Sequence, residues 1–105
     1  MPKKSRRSPA PAKYKDIGDR LRAFREGTGY DGHKDFVSST SITHNAYSEW
    51  ESGTKRIGLN SALKLIKRHD GLTLDFIYRG KTGSLDVKEE TRRRIADALS
   101  RYGTI

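Results

Sequence analysis

The chain has 105 residues, with 22 Lys plus Arg against 13 Asp plus Glu and a formal charge of +9, a length that sets one domain as the expectation. Hydrophobic residues make up 32%, and no stretch approaches the roughly 18 uninterrupted apolar residues of a membrane span. The absence of cysteine excludes disulfides, thiolate nucleophiles and cysteine-ligated zinc, and the basic N-terminus lacks the apolar run of a secretory signal.

The charge is unevenly placed. Residues 1–15 hold Lys3, Lys4, Arg6, Arg7, Lys13 and Lys15 and no acid, whereas residues 16–80 are close to neutral. With Pro2, Pro9 and Pro11 among them and almost nothing to bury, residues 1–15 are expected to form a disordered basic arm. Such an arm suits a polyanion; the bland alternative is a solubilising tail with no specific partner.

From Asp16 onward the spacing becomes helical. Ile17, Leu21 and Phe24 recur at four- and three-residue steps, with Asp16 placed as a cap and Gly27 and Gly29 as the stop. Tyr30-Asp31-Gly32 reads as a turn, and a second short helix is expected from His33 to Ser39, burying Phe36 and Val37. The polar run Ser38-Ser39-Thr40-Ser41 is turn-forming.

A third helix is expected over residues 43–52, with Thr43 able to accept from free amides at its start and Gly53 able to take the left-handed conformation at its end. Tyr47 and Trp50 lie three apart on one side and are expected to be core, because an aromatic stripe at helical spacing is packing before it is base stacking. His44, Asn45 and Ser48, with Glu49 beside them, form another face of short groups that donate or accept hydrogen bonds. A helix needs such a face to touch base edges in a DNA groove.

Thr54-Lys55-Arg56 is then a basic loop. Asn60 is placed to cap a fourth helix carrying Ala62, Leu63, Leu65 and Ile66 and ending near His69. Thr73 caps a short fifth helix, after which Gly80 and Gly83 break the chain. Leu85 to Tyr102 carries Ile95, Ala98, Leu99 and Tyr102 at helical steps amid dense charge, which predicts a separate C-terminal helix. No β-hairpin signal is present. The overall expectation is an all-α chain divided into an arm (1–15), a helical domain (16–80) and a C-terminal helix (81–105).

Residues 16–80 resemble the phage-repressor and Cro-type helix-turn-helix family. The likeness is carried by Ile17-Gly18-Asp19-Arg20-Leu21-Arg22, Trp50-Glu51-Ser52-Gly53, Ser61-Ala62-Leu63-Lys64-Leu65 and the run from Gly71 to Gly80. It implies a five-helix DNA-binding domain, with Thr43 capping the recognition helix and His44, Asn45, Ser48 and Glu49 reaching into the major groove. It further implies phosphate contacts from His33, Thr43, Ser52, Thr54, Lys55 and Arg56, and an internal ion bridge between Arg25 and Glu51. In this alignment Ser41 stands where the family has its turn glycine, and Val37 where it has an alanine.

The residues also have readings of their own. An amide such as Asn45 can pair bidentately with adenine, and Glu49 can accept from a cytosine amino group or turn away toward a base such as Arg56. Lys55 and Arg56 beside the third helix suit phosphates. His33, His44 and His69 lack metal-ligand spacing, so no metal and no cofactor is expected. Nothing organises a nucleophile and its base, so no catalysis is expected.

These readings converge on a sequence-specific, double-stranded DNA-binding transcriptional regulator in a bacterial or phage cytoplasm, nucleoid-associated when bound. A homodimer is expected, with Leu85, Ile95, Leu99 and Tyr102 as the candidate dimer element or protein-partner surface; the competing expectation is that this helix packs on its own domain. The arm residues Lys3, Lys4, Arg6 and Arg7 are candidates for the adjacent minor groove or the backbone. Rival readings are an antitoxin-like protein or co-regulator of the same fold whose main role is binding a protein, and nonspecific nucleic-acid binding by the arm alone.

Overall fold

Helical spacing in the sequence becomes six α-helices in the computed structural model, which describes residues 12–103. They are α1 (Lys15–Gly27), α2 (His33–Val37), α3 (His44–Glu51), α4 (Leu59–Arg68), α5 (Leu74–Arg79) and α6 (Glu89–Arg101), with one turn of 3₁₀-helix at Thr82–Ser84. No strand is present among the described residues, so the chain is all-α. None of these helices is long and apolar enough to cross a membrane.

The core forms where α1 meets its neighbours. Leu21, Ala23 and Phe24 of α1 are buried with Phe36 of α2, Tyr47 of α3, Leu65 of α4 and Phe76 and Ile77 of α5. Rings dominate its centre. The His69 imidazole stacks on Phe36 with ring centroids 4.0 Å apart, and Tyr30 and Phe24 meet it edge-on. His69 Nε2 donates to the Phe36 carbonyl at 2.6 Å, which satisfies its polar edge inside the core.

Two glycines fix how closely α1 meets the end of α3. A Cβ at Gly18 would overlap the Glu51 and Trp50 carbonyl oxygens, so the helices touch backbone to backbone there. Gly53 has φ +80°, a conformation that ends α3 without strain only for glycine, and its carbonyl accepts from the Tyr14 N–H at 3.0 Å.

Several expectations change. Asp16 does not cap α1: the N-cap is Tyr14, without a side-chain bond, and Asp16 lies in the first turn, where its charge opposes the positive helix end. The chain is tied to the body from Tyr14 and Lys15 onward, so the arm is shorter than residues 1–15 at its C-terminal side. Helix α2 stops at Val37 rather than Ser39, because the Ser38 and Thr40 hydroxyls donate to the Asp35 and Val37 carbonyls and replace the next helical turn. The left-handed residue of this turn is Ser39, at φ +66°, not Ser41. Asn60 does not cap α4, which begins one residue earlier with Gly58 as its N-cap.

Burial decides between the two expectations for the C-terminal segment. Leu85, Ile95, Ala98 and Leu99 are each no more than 2% exposed and belong to the same core cluster as α1. Tyr102 is held as well: its hydroxyl donates to Glu26, and Arg22 lies over its ring at 4.5 Å. The stripe proposed for a second chain is therefore spent inside this one, and residue 80 marks no boundary in the packing. An amphipathic stripe states that a helix buries one face, not whose surface covers it.

Burial also sets a pH dependence. Desolvation lowers the pKa of His69 from its ordinary value near 6.5, against the smaller opposing effect of its bond to Phe36. The unfolded chain then binds more protons than the folded one just below that value, so His69's contribution is full above pH ~6.5 and is lost as the pH falls. The thermal midpoint should drop between pH 7.5 and pH 5, and His69→Asn, which cannot titrate, should flatten that slope. An unchanged slope in the variant would assign the dependence to other groups.

Candidate nucleic-acid interface

Helix α3 supplies the polar face singled out from the sequence, and its orientation follows from what it buries. Tyr47 is fully buried, its hydroxyl directed at the Leu21 carbonyl at 3.5 Å, and burial pushes its phenol pKa well above the ordinary value. Trp50 is partly buried and packs edge-on to Tyr47, with 6.2 Å between ring centroids. On the remaining surface His44 and Asn45 are exposed, while Ser48 and Glu49 are half-buried. Thr43 Oγ1 accepts from the Ala46 N–H at 3.1 Å and so closes the N-terminus of α3.

Below that face lies a buried charge network. Arg25 Nε and Nη2 donate to the two Glu51 carboxylate oxygens at 2.7 and 3.1 Å, and its Nη1 donates to the Tyr30 and Asp31 carbonyls at 2.8 and 2.9 Å. Both side chains are under 8% exposed. The bonds to Glu51 raise the Arg25 pKa from its ordinary value despite the opposing effect of burial.

His33 joins the same network. Its Nε2 lies 3.1 Å from Glu51 Oε1 and its Nδ1 2.8 Å from Ser48 Oγ. Both ring nitrogens are thus engaged within the protein, and the Ser48 hydroxyl with them. These two side chains brace α2 against α3, a role their separation in sequence did not suggest.

The segment after α3 wraps the Glu49 carbonyl. The Ser52 and Thr54 hydroxyls and the Thr54 and Lys55 N–H groups all donate to that oxygen at 3.0–3.3 Å. Ser52 and Thr54 also share a hydroxyl contact at 3.1 Å. The Glu49 carboxylate faces Lys55 at 3.4 Å rather than Arg56, an exposed pair worth little in energy. Arg56 instead lies over the Tyr78 ring at 4.7 Å, while the Tyr78 hydroxyl donates to the Ile57 carbonyl at 2.8 Å. Tyr78 was not singled out from the sequence. It stands too far from Arg56 along the chain for any periodic pattern to join them.

Of the residues singled out from the sequence, Glu49 and Lys55 are therefore brought together, His44 and Asn45 stand exposed on α3, and Arg56 lies against Tyr78. Lys3, Lys4, Arg6 and Arg7 lie outside the described residues. Among comparisons with known proteins, no family model, no curated protein and no solved structure matches the chain.

The Arg25–Glu51 pair is open to measurement. Removing one partner of a buried ion pair leaves the other charged and unsatisfied, so Glu51→Ala should lower the unfolding free energy by about 3–5 kcal/mol. Arg25→Lys keeps the charge without the planar fork and should lose less. Chemical denaturation measures both; a loss below about 1 kcal/mol for Glu51→Ala would mean the pair does not anchor α3 to α1.

Proposed function

We propose that this chain is a sequence-specific, double-stranded DNA-binding transcriptional regulator built on a phage-repressor-like helix-turn-helix domain, in which α2 and α3 form the motif and α3 reads the major groove. The observation that carries this reading is the division of α3: Tyr47 is fully buried on one side while His44 and Asn45 stand exposed on the other. A helix held inward by a large ring and presenting an imidazole and an amide outward is suited to base edges.

Asn45 has the two-point hydrogen-bonding geometry that matches adenine, and His44 stands one residue before it. Ser48 is tied to His33, so its hydroxyl can still accept or donate once but carries less of the reading. Glu49 is free to exchange Lys55 for a cytosine amino group. Exposed Lys55 and Arg56 hold phosphates and release counterions, which supplies affinity without sequence preference. Thr43, Ser52 and Thr54 shape the ends of α3 through their caps and add short polar contacts to the backbone. No catalysis is involved in this reading.

One such domain buries roughly 600–1,000 Å² of protein surface on DNA, too little for strong discrimination, so two copies would occupy half-sites about one helical turn apart. The buried stripe of α6 is not the surface that pairs them.

Selection of bound fragments from random duplexes tests the reading: a recovered motif with two related halves supports it, and recovery of no preferred sequence sinks it. On the selected site Asn45→Ala should cost about 1–3 kcal/mol and relax preference at one position. Lys55→Ala should weaken binding to all sequences alike and reduce the salt slope by about one. Equal losses for Asn45→Ala on selected and random DNA would remove it from the reading set.

A further inference from the structure

A second concentration of positive charge lies where the C-terminal half of α4 meets the turn between α2 and α3. A cavity of about 350 Å³ there is lined by Ser39, Thr40, Ser41, Lys64, Lys67 and Arg68. Every one of these side chains carries a hydrogen-bond donor, three are cations, and none is an acid.

The cations are not neutralised. No ion pair among the described residues includes Lys64, Lys67 or Arg68; the acids pair with Lys15, Arg22, Arg25, His33, Lys55, Arg79, Arg92, Arg93 and Arg94. Asp70, the nearest acid in sequence, lines an adjoining hollow that shares Arg68 with the cleft, but it makes no ion pair with Arg68. Lys64 Nζ donates only to the Ser41 hydroxyl at 2.6 Å, and Arg68 Nε only to the Ser38 carbonyl at 3.0 Å, with Nη2 at 3.5 Å from the Ser38 hydroxyl. Lys67 is exposed and has no hydrogen-bond or ion-pair partner among the described residues.

The opposite wall is held in place. Thr40 Oγ1 donates to the Val37 carbonyl at 2.6 Å and accepts from the Ile42 N–H at 3.1 Å. Ser39 sits at φ +66°, a conformation a non-glycine residue adopts only where its surroundings impose it. Its exposed hydroxyl has no partner among the described residues.

Residues 64, 67 and 68 stand at i, i+3 and i+4 on α4, so they share one face of the helix and line the same cleft. Unpaired like charges at that spacing repel, and a compact multivalent anion relieves the repulsion while accepting hydrogen bonds from the hydroxyls. We propose that this cleft binds a small phosphorylated ligand through its phosphoryl oxygens, with Lys64 and Lys67 as the charge contacts and Ser39 and Ser41 as neutral donors. Arg68, already anchored to the turn, holds the two walls together and adds to the field. The proposal does not rest on the DNA-reading proposal, and its test contains no DNA.

Calorimetric titration of the full chain with pyrophosphate, and separately with adenosine triphosphate, at constant ionic strength reads the proposal. Saturable binding of either supports it; a preference of tenfold or more for the nucleotide assigns the source as a nucleotide, and similar affinities assign a simple polyphosphate. The double variant K64Q/K67Q should lose at least tenfold in affinity with its helical circular dichroism intact. The charge-matched variant R93Q/R101Q on α6 should bind as the parent does. Ser39→Gly, which eases the backbone while removing the hydroxyl, should weaken binding about threefold even if the double variant fails to fold. Absence of saturable binding of both probes up to about 10 mM, or an equal loss in both double variants, overturns it.

Discussion

The Glu51 carboxylate is the point on which three helices depend. One oxygen pair receives the Arg25 fork from α1, and the same carboxylate meets the His33 ring from α2, while Glu51 itself ends α3. A buried charge is tolerated only when its lone pairs are met, and here a guanidinium and an imidazole meet them. Because Arg25 also donates to the Tyr30 and Asp31 carbonyls, the turn before α2 is fastened to the same group. The tilt of α3, and with it the direction in which His44 and Asn45 project, follows from this single arrangement together with the backbone contact at Gly18.

Around that anchor the division of labour is clear. Side chains that point inward from α3 and α1 are rings and aliphatics in the core, and those around the network are short polar groups that close helix ends. The segment 52–55 spends its hydroxyls and amides on one carbonyl, that of Glu49, which leaves Lys55 and Arg56 projecting from a rigid bend rather than a loose loop. Arg56 is further steadied on the Tyr78 ring. In the proposed reading, such preorganisation reduces the ordering cost of holding phosphates.

The helices were legible because their signals are local. Thr43 and Thr73 cap α3 and α5, and Gly53 and Gly80 end them in left-handed conformations, as their residue types imply. Asp16 and Asn60 depart from expectation for the opposite reason: a side chain able to cap does so only if the backbone turns at that residue, and both α1 and α4 start two positions earlier than those caps would set. The shortened α2 had a local cause too, yet a run of four hydroxyl residues gives no hint of which carbonyls each will take. Ser39, not Ser41, absorbs the left-handed turn.

Sequence alone determined that this chain is helical, that Tyr47 faces inward and that a polar set shares a helix with it, since period and residue chemistry act over a few residues. Tertiary structure decided which surfaces meet: that the stripe of Ile95 and Leu99 belongs to α1, that His33 braces Ser48 and Glu51, and that Lys64 and Arg68 reach the turn at residues 38–41. Those pairings depend on how rigid helices stack in three dimensions, and a one-dimensional pattern records that a face must be covered without recording by what.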